Sequence, residues 1–83
     1  MRPFQYLLIN FLIYKITMLG QKIKNLISKN NITQKKLAED LQITPQAVSL
    51  WIKDKADPDL INLKKIALYF NVTTDYLLDI ENL

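Results

Sequence analysis

Residues 33–52 read TQKKLAEDLQITPQAVSLWI, and they carry the clearest indication of the fold. Apolar side chains recur within it at the spacing of an amphipathic helix, first at Leu37, Ala38 and Leu41 and then at Val48, Trp51 and Ile52. Only Gln42 and Ile43 separate the first pattern from the threonine that begins the second. So short a connection prevents two helices from lying antiparallel with both apolar faces buried, so the sequence predicts two short helices that cross steeply.

One local pattern occurs three times: an apolar residue, then a threonine, then a second apolar residue four positions after the threonine. The instances are Ile32-Thr33 with Leu37, Ile43-Thr44 with Val48, and Val72-Thr73 with Leu77. The threonine hydroxyl accepts a hydrogen bond from an amide of the first helical turn, and the flanking apolar pair fixes the angle of entry. We therefore expect helices to begin directly after these three threonines.

From Gly20 onward the rest of the sequence is also predicted to be helical, because no segment there shows the sustained two-residue alternation of a half-buried strand. The first helix ends in the polar run Lys29-Asn30-Asn31. Asp57-Pro58 is expected to open the fourth helix, with Asp57 as its cap and the proline at its first position. The apolar positions are Ile23, Leu26 and Ile27 in the first helix, Leu60, Leu63, Ile66, Ala67 and Phe70 in the fourth, and Tyr76, Leu77 and Ile80 in the fifth. These patterns predict an all-α, compact five-helix domain over residues 18–83.

Residues 1–17 form an apolar N-terminal extension whose only charges are Arg2 and Lys15. Its apolar run is shorter than the roughly 20 residues of a membrane-spanning helix, and Thr17-Met18-Leu19-Gly20 is a poor signal-peptide cleavage site. Three interpretations stay open: a leader upstream of a true start at Met18, a spanning or exported segment, or an extra helix or strand that packs on the domain or on a second copy. The composition disfavours a role in the membrane.

The composition excludes several classes of function. The 83 residues include no cysteine and no histidine, so disulfides, thiolate zinc sites and the commonest general base are ruled out. The single glycine, Gly20, excludes glycine-rich phosphate loops. We expect a binding module rather than an enzyme, with no metal and no cofactor. The net charge of +3 is uneven, because residues 1–56 carry nine basic and three acidic side chains whereas residues 57–83 carry two basic and five acidic.

The helix-turn-helix formed by residues 33–52 strongly resembles the Cro/C1-type (XRE-like) family of DNA-binding transcriptional regulators. The resemblance extends from about Met18 to Leu78 and includes Asp57-Pro58, Leu63-Lys64-Lys65-Ile66-Ala67 and Val72-Thr73-Thr74-Asp75-Tyr76-Leu77-Leu78. It implies a lambda-repressor-like fold and a cytoplasmic repressor that binds a palindromic double-stranded DNA operator as a homodimer. Two positions depart from the family: Gln42 stands where a turn glycine is usual and is expected to adopt a left-handed conformation, and Pro45 opens the third helix.

The third helix is expected to read bases with the face opposite Val48 and Trp51. Gln46 suits adenine, Ser49 accepts either type of partner, and Leu50 suits a thymine methyl group. Trp51 belongs to the inner face and is expected to pack in the core. Contacts to the DNA backbone are expected from Gln34, which the resemblance implies, and from Lys35, Thr44, Lys53 and Lys55.

Two alternatives from other classes of binding protein stay open. An antitoxin of a toxin–antitoxin pair uses the same DNA-binding fold and holds a toxin partner on another surface. A membrane-tethered helical interaction module, anchored by residues 4–16, is the other.

Overall fold

The computed structural model describes residues 19–78, which form five helices and no strand. The helices are α1 (Leu19–Lys29), α2 (Gln34–Leu41), α3 (Pro45–Ile52), α4 (Leu60–Phe70) and α5 (Thr74–Leu78). The all-α, five-helix prediction is therefore confirmed. The extension over residues 1–17 and the predicted apolar position Ile80 lie outside the described residues. Within residues 19–78, no helix is long and apolar enough to cross a membrane.

The core lies where α3 packs against both α1 and α2, and α5 closes it against α1 and α4. Among the described residues, no polar or charged side chain is buried. The buried side chains are Ile23, Leu26, Ile27, Leu37, Ala38, Leu41, Val48, Trp51, Leu63, Ile66, Ala67 and Leu77. The periodicity that predicted the helices therefore also identified the core, except that Leu60 is 67% exposed.

The predicted threonine caps are present. The hydroxyl of Thr33 accepts from the Lys36 amide at 3.0 Å, that of Thr44 from Ala47 at 3.2 Å, and that of Thr73 from Tyr76 at 2.9 Å. Each cap satisfies an amide that the first turn of a helix leaves without an internal partner. The start of each of these helices thus follows from its own sequence.

The predicted start of α4 was wrong by two residues. Asp59, rather than Asp57, caps this helix by accepting from the Asn62 amide at 2.8 Å, so Pro58 precedes the helix instead of opening it. The apolar pair around the observed cap is the one that packs inward in the folded chain. A cap at Asp59 is flanked by half-buried Pro58 and buried Leu63, whereas a cap at Asp57 would be flanked by exposed side chains at positions 56 and 61.

Four helices end in a turn whose last residue is left-handed without being glycine. These residues are Asn31, Gln42, Asp54 and Asn71, with φ between 54° and 60°. In every case the following amide bonds a carbonyl five residues back, at 2.9–3.2 Å, as in the Schellman motif. The left-handed conformation expected for Gln42 is confirmed. Gly20, by contrast, lies inside α1.

Candidate nucleic-acid interface

Helix α3 has one face in the core and the other in solvent. Val48 is fully buried and Trp51 is 5% exposed, so the prediction that Trp51 packs in the core is confirmed. On the opposite face Gln46 is exposed, Leu50 is 43% exposed, and Ser49 is half-buried. The structure therefore presents an amide, a hydroxyl and an aliphatic side chain on one outward surface, which we call the α3 outer face.

The α3 outer face is held in place by its neighbours in the chain. The Thr44 cap fixes the start of the helix, and Pro45 at the first position supplies a backbone φ already suited to a helix. Ala47 and Ile52 are partly buried against the core on the inner side. Because α3 packs on both α1 and α2, its outer face has a fixed orientation relative to the start of α2.

The residues expected to contact the DNA backbone are all at the surface. Gln34 and Lys35 are exposed in the first turn of α2, and Thr44 is exposed at the cap of α3. Lys53 and Lys55 are exposed in the turn that follows α3. Helices α2 and α3 are in direct contact. The candidate phosphate-binding groups therefore lie at the start of each of these helices and in the turn after α3.

A small polar network joins α2 to α4. Lys36 Nζ lies 3.1 Å from Asp40 Oδ1, and the Tyr69 hydroxyl donates to Asp40 Oδ2 at 2.6 Å. The hydrogen bond from Tyr69, followed by that from Lys36, lowers the pKa of the Asp40 carboxyl, and the same bond to Asp40 raises the pKa of Tyr69. Lys36 therefore forms an ion pair within the domain. Its neighbour Lys35 is among the predicted phosphate contacts.

The sequence reasoning missed a contact between the start of α1 and the end of α3. The Gly20 amide donates to Asp54 Oδ1 at 3.2 Å across 34 residues of sequence. A β-carbon at position 20 would lie 2.6 Å from the Trp51 carbonyl oxygen and 2.7 Å from that of Ile52, closer than real atoms approach. The signal in the sequence was a single glycine inside a helical pattern. Glycine destabilises a helix relative to alanine, so its presence there usually indicates close packing against another part of the chain.

Comparison with known proteins agrees with this geometry. The sequence model of the helix-turn-helix family matches residues 23–77, which is more than half of the chain. The chain is 40% identical over 64 residues to the HTH-type transcriptional activator BcrR of Enterococcus faecalis. It is 42% identical over 60 residues to the HTH-type transcriptional regulator ImmR of Bacillus subtilis, and 34% identical over 61 residues to the SPbeta prophage-derived HTH-type transcriptional regulator YopO of the same organism.

The matched regions cover most of this chain but differing shares of the relatives. They comprise 77%, 72% and 74% of this chain, against 31% of BcrR, 47% of ImmR and 87% of YopO. The chain therefore spans about a third to a half of the first two relatives and most of the third. All three relatives are named as transcriptional regulators, and none as an antitoxin.

Proposed function

Because the chain belongs to the Cro/C1-type (XRE-like) helix-turn-helix family of transcriptional regulators, we propose that it reads a specific double-stranded DNA sequence with the α3 outer face. The observation that supports this most is the division of α3 into an inner face with buried Val48 and Trp51 and an outer face with varied hydrogen-bonding groups. An α-helix fits the major groove of B-form DNA, where every base pair presents a distinct pattern of donors, acceptors and methyl groups.

The three side chains of this face have different tasks in the proposal. Gln46, exposed in the first turn of α3, donates and accepts with one adenine through its amide. Leu50 lies one turn further along and packs on a thymine methyl group. Ser49 is half-buried, so its short side chain reaches only a base or phosphate that approaches α3 closely.

The backbone contacts fix the position of the domain on the duplex. Gln34 and Lys35 at the start of α2, Thr44 at the cap of α3, and Lys53 and Lys55 after α3 supply polar and cationic groups for phosphates. Such contacts carry affinity that does not depend on sequence and falls with salt. This division of labour provides the test of the proposal.

We expect the substitution Gln46→Ala to weaken binding to the preferred duplex by about 1–3 kcal/mol while leaving binding to a random duplex unchanged. The preferred duplex is first selected from a random library with the wild-type protein, and affinities are then measured by fluorescence anisotropy at several salt concentrations. An equal loss on both duplexes would contradict base reading by Gln46.

Lys53→Ala is the matched comparison, because it removes a proposed phosphate contact from the same helix end. We expect it to weaken binding to both duplexes and to reduce the slope of log affinity against log salt by about 0.9. A wild-type protein that shows no preference among duplexes and no salt dependence would refute the proposed function as a whole.

The dimer and the palindromic operator belong to the same proposal. Helix α3 has only 8 residues and reaches few base pairs, so two copies with recognition helices about 34 Å apart would read a longer site. The surfaces proposed for association are α5, where Leu78 is 39% exposed, and the apolar extension over residues 1–17. Sedimentation with and without the selected duplex tests this, and one protomer per duplex at saturation would contradict it.

We further propose that the protein represses transcription from the cytoplasm, where it meets the nucleoid. Occupation of an operator that overlaps a promoter requires only tight DNA binding. The relative BcrR is named an activator, so the sign of the effect is measured directly with a reporter placed behind the selected site. Reporter output should fall when the protein is expressed, and a rise would show activation instead.

A further inference from the structure

Asp54 is an acidic side chain in an unexpected place. It lies between Lys53 and Lys55, the two lysines that the proposed function assigns to DNA phosphates. A carboxylate beside a phosphate backbone opposes binding by charge repulsion. The backbone of Asp54 is also left-handed, with φ 57°.

The carboxylate of Asp54 bonds to a different helix from the one it follows. Its Oδ1 accepts from the Gly20 amide at 3.2 Å, and Gly20 lies in α1. This hydrogen bond joins the turn after α3 to the backbone of α1.

Gly20 allows this contact because it lacks a side chain. The Trp51 and Ile52 carbonyl oxygens, at the end of α3, occupy the space that a β-carbon would need. Gly20 in α1 therefore lies in direct contact with the end of α3. The same β-carbon would lie 2.7 Å from Asp54 Oδ1, so the hydrogen bond to the carboxylate also depends on glycine at this position.

The turn that bears the lysines is held from both sides as a result. Its backbone bonds back to α3, with the Asp54 amide 3.1 Å from the Trp51 oxygen and the Lys55 amide 2.9 Å from the Leu50 oxygen. Its side chain bonds forward to α1 through the carboxylate. Lys53 and Lys55 therefore leave the protein from a backbone whose position relative to the α3 outer face is fixed.

We propose that Asp54 is a positioning residue for DNA binding, which holds the Lys53–Lys55 turn in its phosphate-facing geometry by accepting a hydrogen bond from the Gly20 amide of α1. The proposal rests on the DNA-binding function above. It assigns the net effect of this acidic residue as favourable to DNA binding, because the fixed geometry of two cations outweighs the repulsion from one carboxylate. A residue that acted by charge alone would have the opposite effect.

Two substitutions separate geometry from charge. Asp54→Gly keeps the left-handed backbone accessible but removes the acceptor, whereas Asp54→Asn keeps an acceptor oxygen and also tolerates this conformation. Both remove the same negative charge. Affinity is measured on a random 30-base-pair duplex across a salt series, at a temperature where circular dichroism shows both variants folded.

We expect Asp54→Gly to bind about tenfold more weakly than the wild type, with a salt slope reduced by about 0.9 to about 1.8, which corresponds to one or two phosphate contacts. Asp54→Asn should bind at least as tightly as the wild type with an unchanged slope. Tighter binding by both variants to the same degree would overturn the proposal, since it would show that the carboxylate acts only by repulsion.

Amide hydrogen exchange in the free protein tests the Asp54–Gly20 hydrogen bond without DNA. Exchange of the Gly20 and Lys55 amides should accelerate in Asp54→Gly and stay near the wild-type rate in Asp54→Asn. Unchanged exchange in Asp54→Gly would refute this bond even if the protein binds DNA. Absence of salt-dependent binding by the wild type would instead refute the DNA-binding function, and the positioning role with it.

Discussion

The turns that end α2 and α3 have the same backbone geometry in opposite surroundings. Gln42 ends α2 and Asp54 ends α3, both left-handed, and in both turns the next amide bonds a carbonyl five residues back at 2.9 Å. The residue that follows Gln42 is Ile43, which is half-buried against the core. The residue that follows Asp54 is Lys55, which is exposed. One backbone turn therefore serves core packing in the first place and presents a cation in the second.

This difference shows how a turn is anchored when its side chains change. The turns after α1 and α4 resemble the one after α2, because each places an apolar residue, Ile32 or Val72, against the core and a threonine cap directly after it. A lysine at the same position stays in solvent, so the turn after α3 lacks that anchor. The contact from Asp54 to Gly20 takes its place.

The largest effect on stability is expected from Gly20→Ala, which disrupts the contact between α1 and the turn after α3. A new β-carbon meets the carbonyl oxygens of Trp51 and Ile52, and backbone atoms at the end of a packed helix yield less easily than a side chain. We expect the free energy of unfolding to fall by about 1–3 kcal/mol, measured by urea denaturation.

Ser28→Ala is the control for this change. Ser28 is exposed near the other end of α1, where alanine has the better helix propensity. We expect this variant to be equal to or slightly more stable than the wild type. If Gly20→Ala also stabilised the protein, as glycine to alanine does in an open helix, the close approach of α1 to α3 would be disproved.

The contrast between the turns also explains what the sequence predicted and what it did not. The helices, the core and the three threonine caps follow from local spacing, because each depends on residues within one or two turns of one another. The same rule does not decide between Asp57 and Asp59 as the cap of α4, because Ala56 and Ile61 form an apolar pair around the first as Pro58 and Leu63 do around the second. The bond between Asp54 and Gly20 joins residues 34 apart, and no local pattern encodes it.

The candidate interface was predicted to a similar degree. Periodicity placed Gln46 and Leu50 outward correctly, and the buried position of Trp51 follows from the same spacing. The half-burial of Ser49 was not predictable, because it depends on how neighbouring helices pack around α3. DNA contacts by these residues stay predictions that the titrations above test.

A smaller, stabilising effect is expected from Gln42→Gly, in the apolar turn after α2. Glutamine at φ 60° carries the steric cost of its β-carbon, which glycine lacks. We expect a gain of about 1 kcal/mol in the free energy of unfolding and a rise in Tm of about 4–8 °C. Gln42→Ala keeps a β-carbon at the same φ and should give no gain. Equal stabilisation by both variants would show that strain at this turn is absent.

The smallest effect on stability is expected from Tyr69→Phe, which removes a hydrogen bond between α4 and the end of α2. The hydroxyl bonds Asp40 at the surface, and surface interactions of this kind contribute little. The clearer result is electrostatic. Without the hydrogen bond from Tyr69, the pKa of Asp40 should rise toward its ordinary value, which a carboxyl NMR titration measures.

The pH dependence of this hydrogen bond follows from the directions of the two pKa shifts. Because the pKa of Asp40 is lower in the folded state, its contribution is complete above the ordinary carboxyl value and is lost as pH falls through the lowered one. The raised pKa of Tyr69 makes its contribution complete below the ordinary phenol value and lost as pH rises through the raised one. The stability difference between wild type and Tyr69→Phe should therefore disappear in strong acid and in strong alkali. When the effect of Tyr69→Phe on stability is measured in an Asp40→Asn background, its dependence on acid should vanish. If it persists, a carboxylate other than Asp40 is responsible.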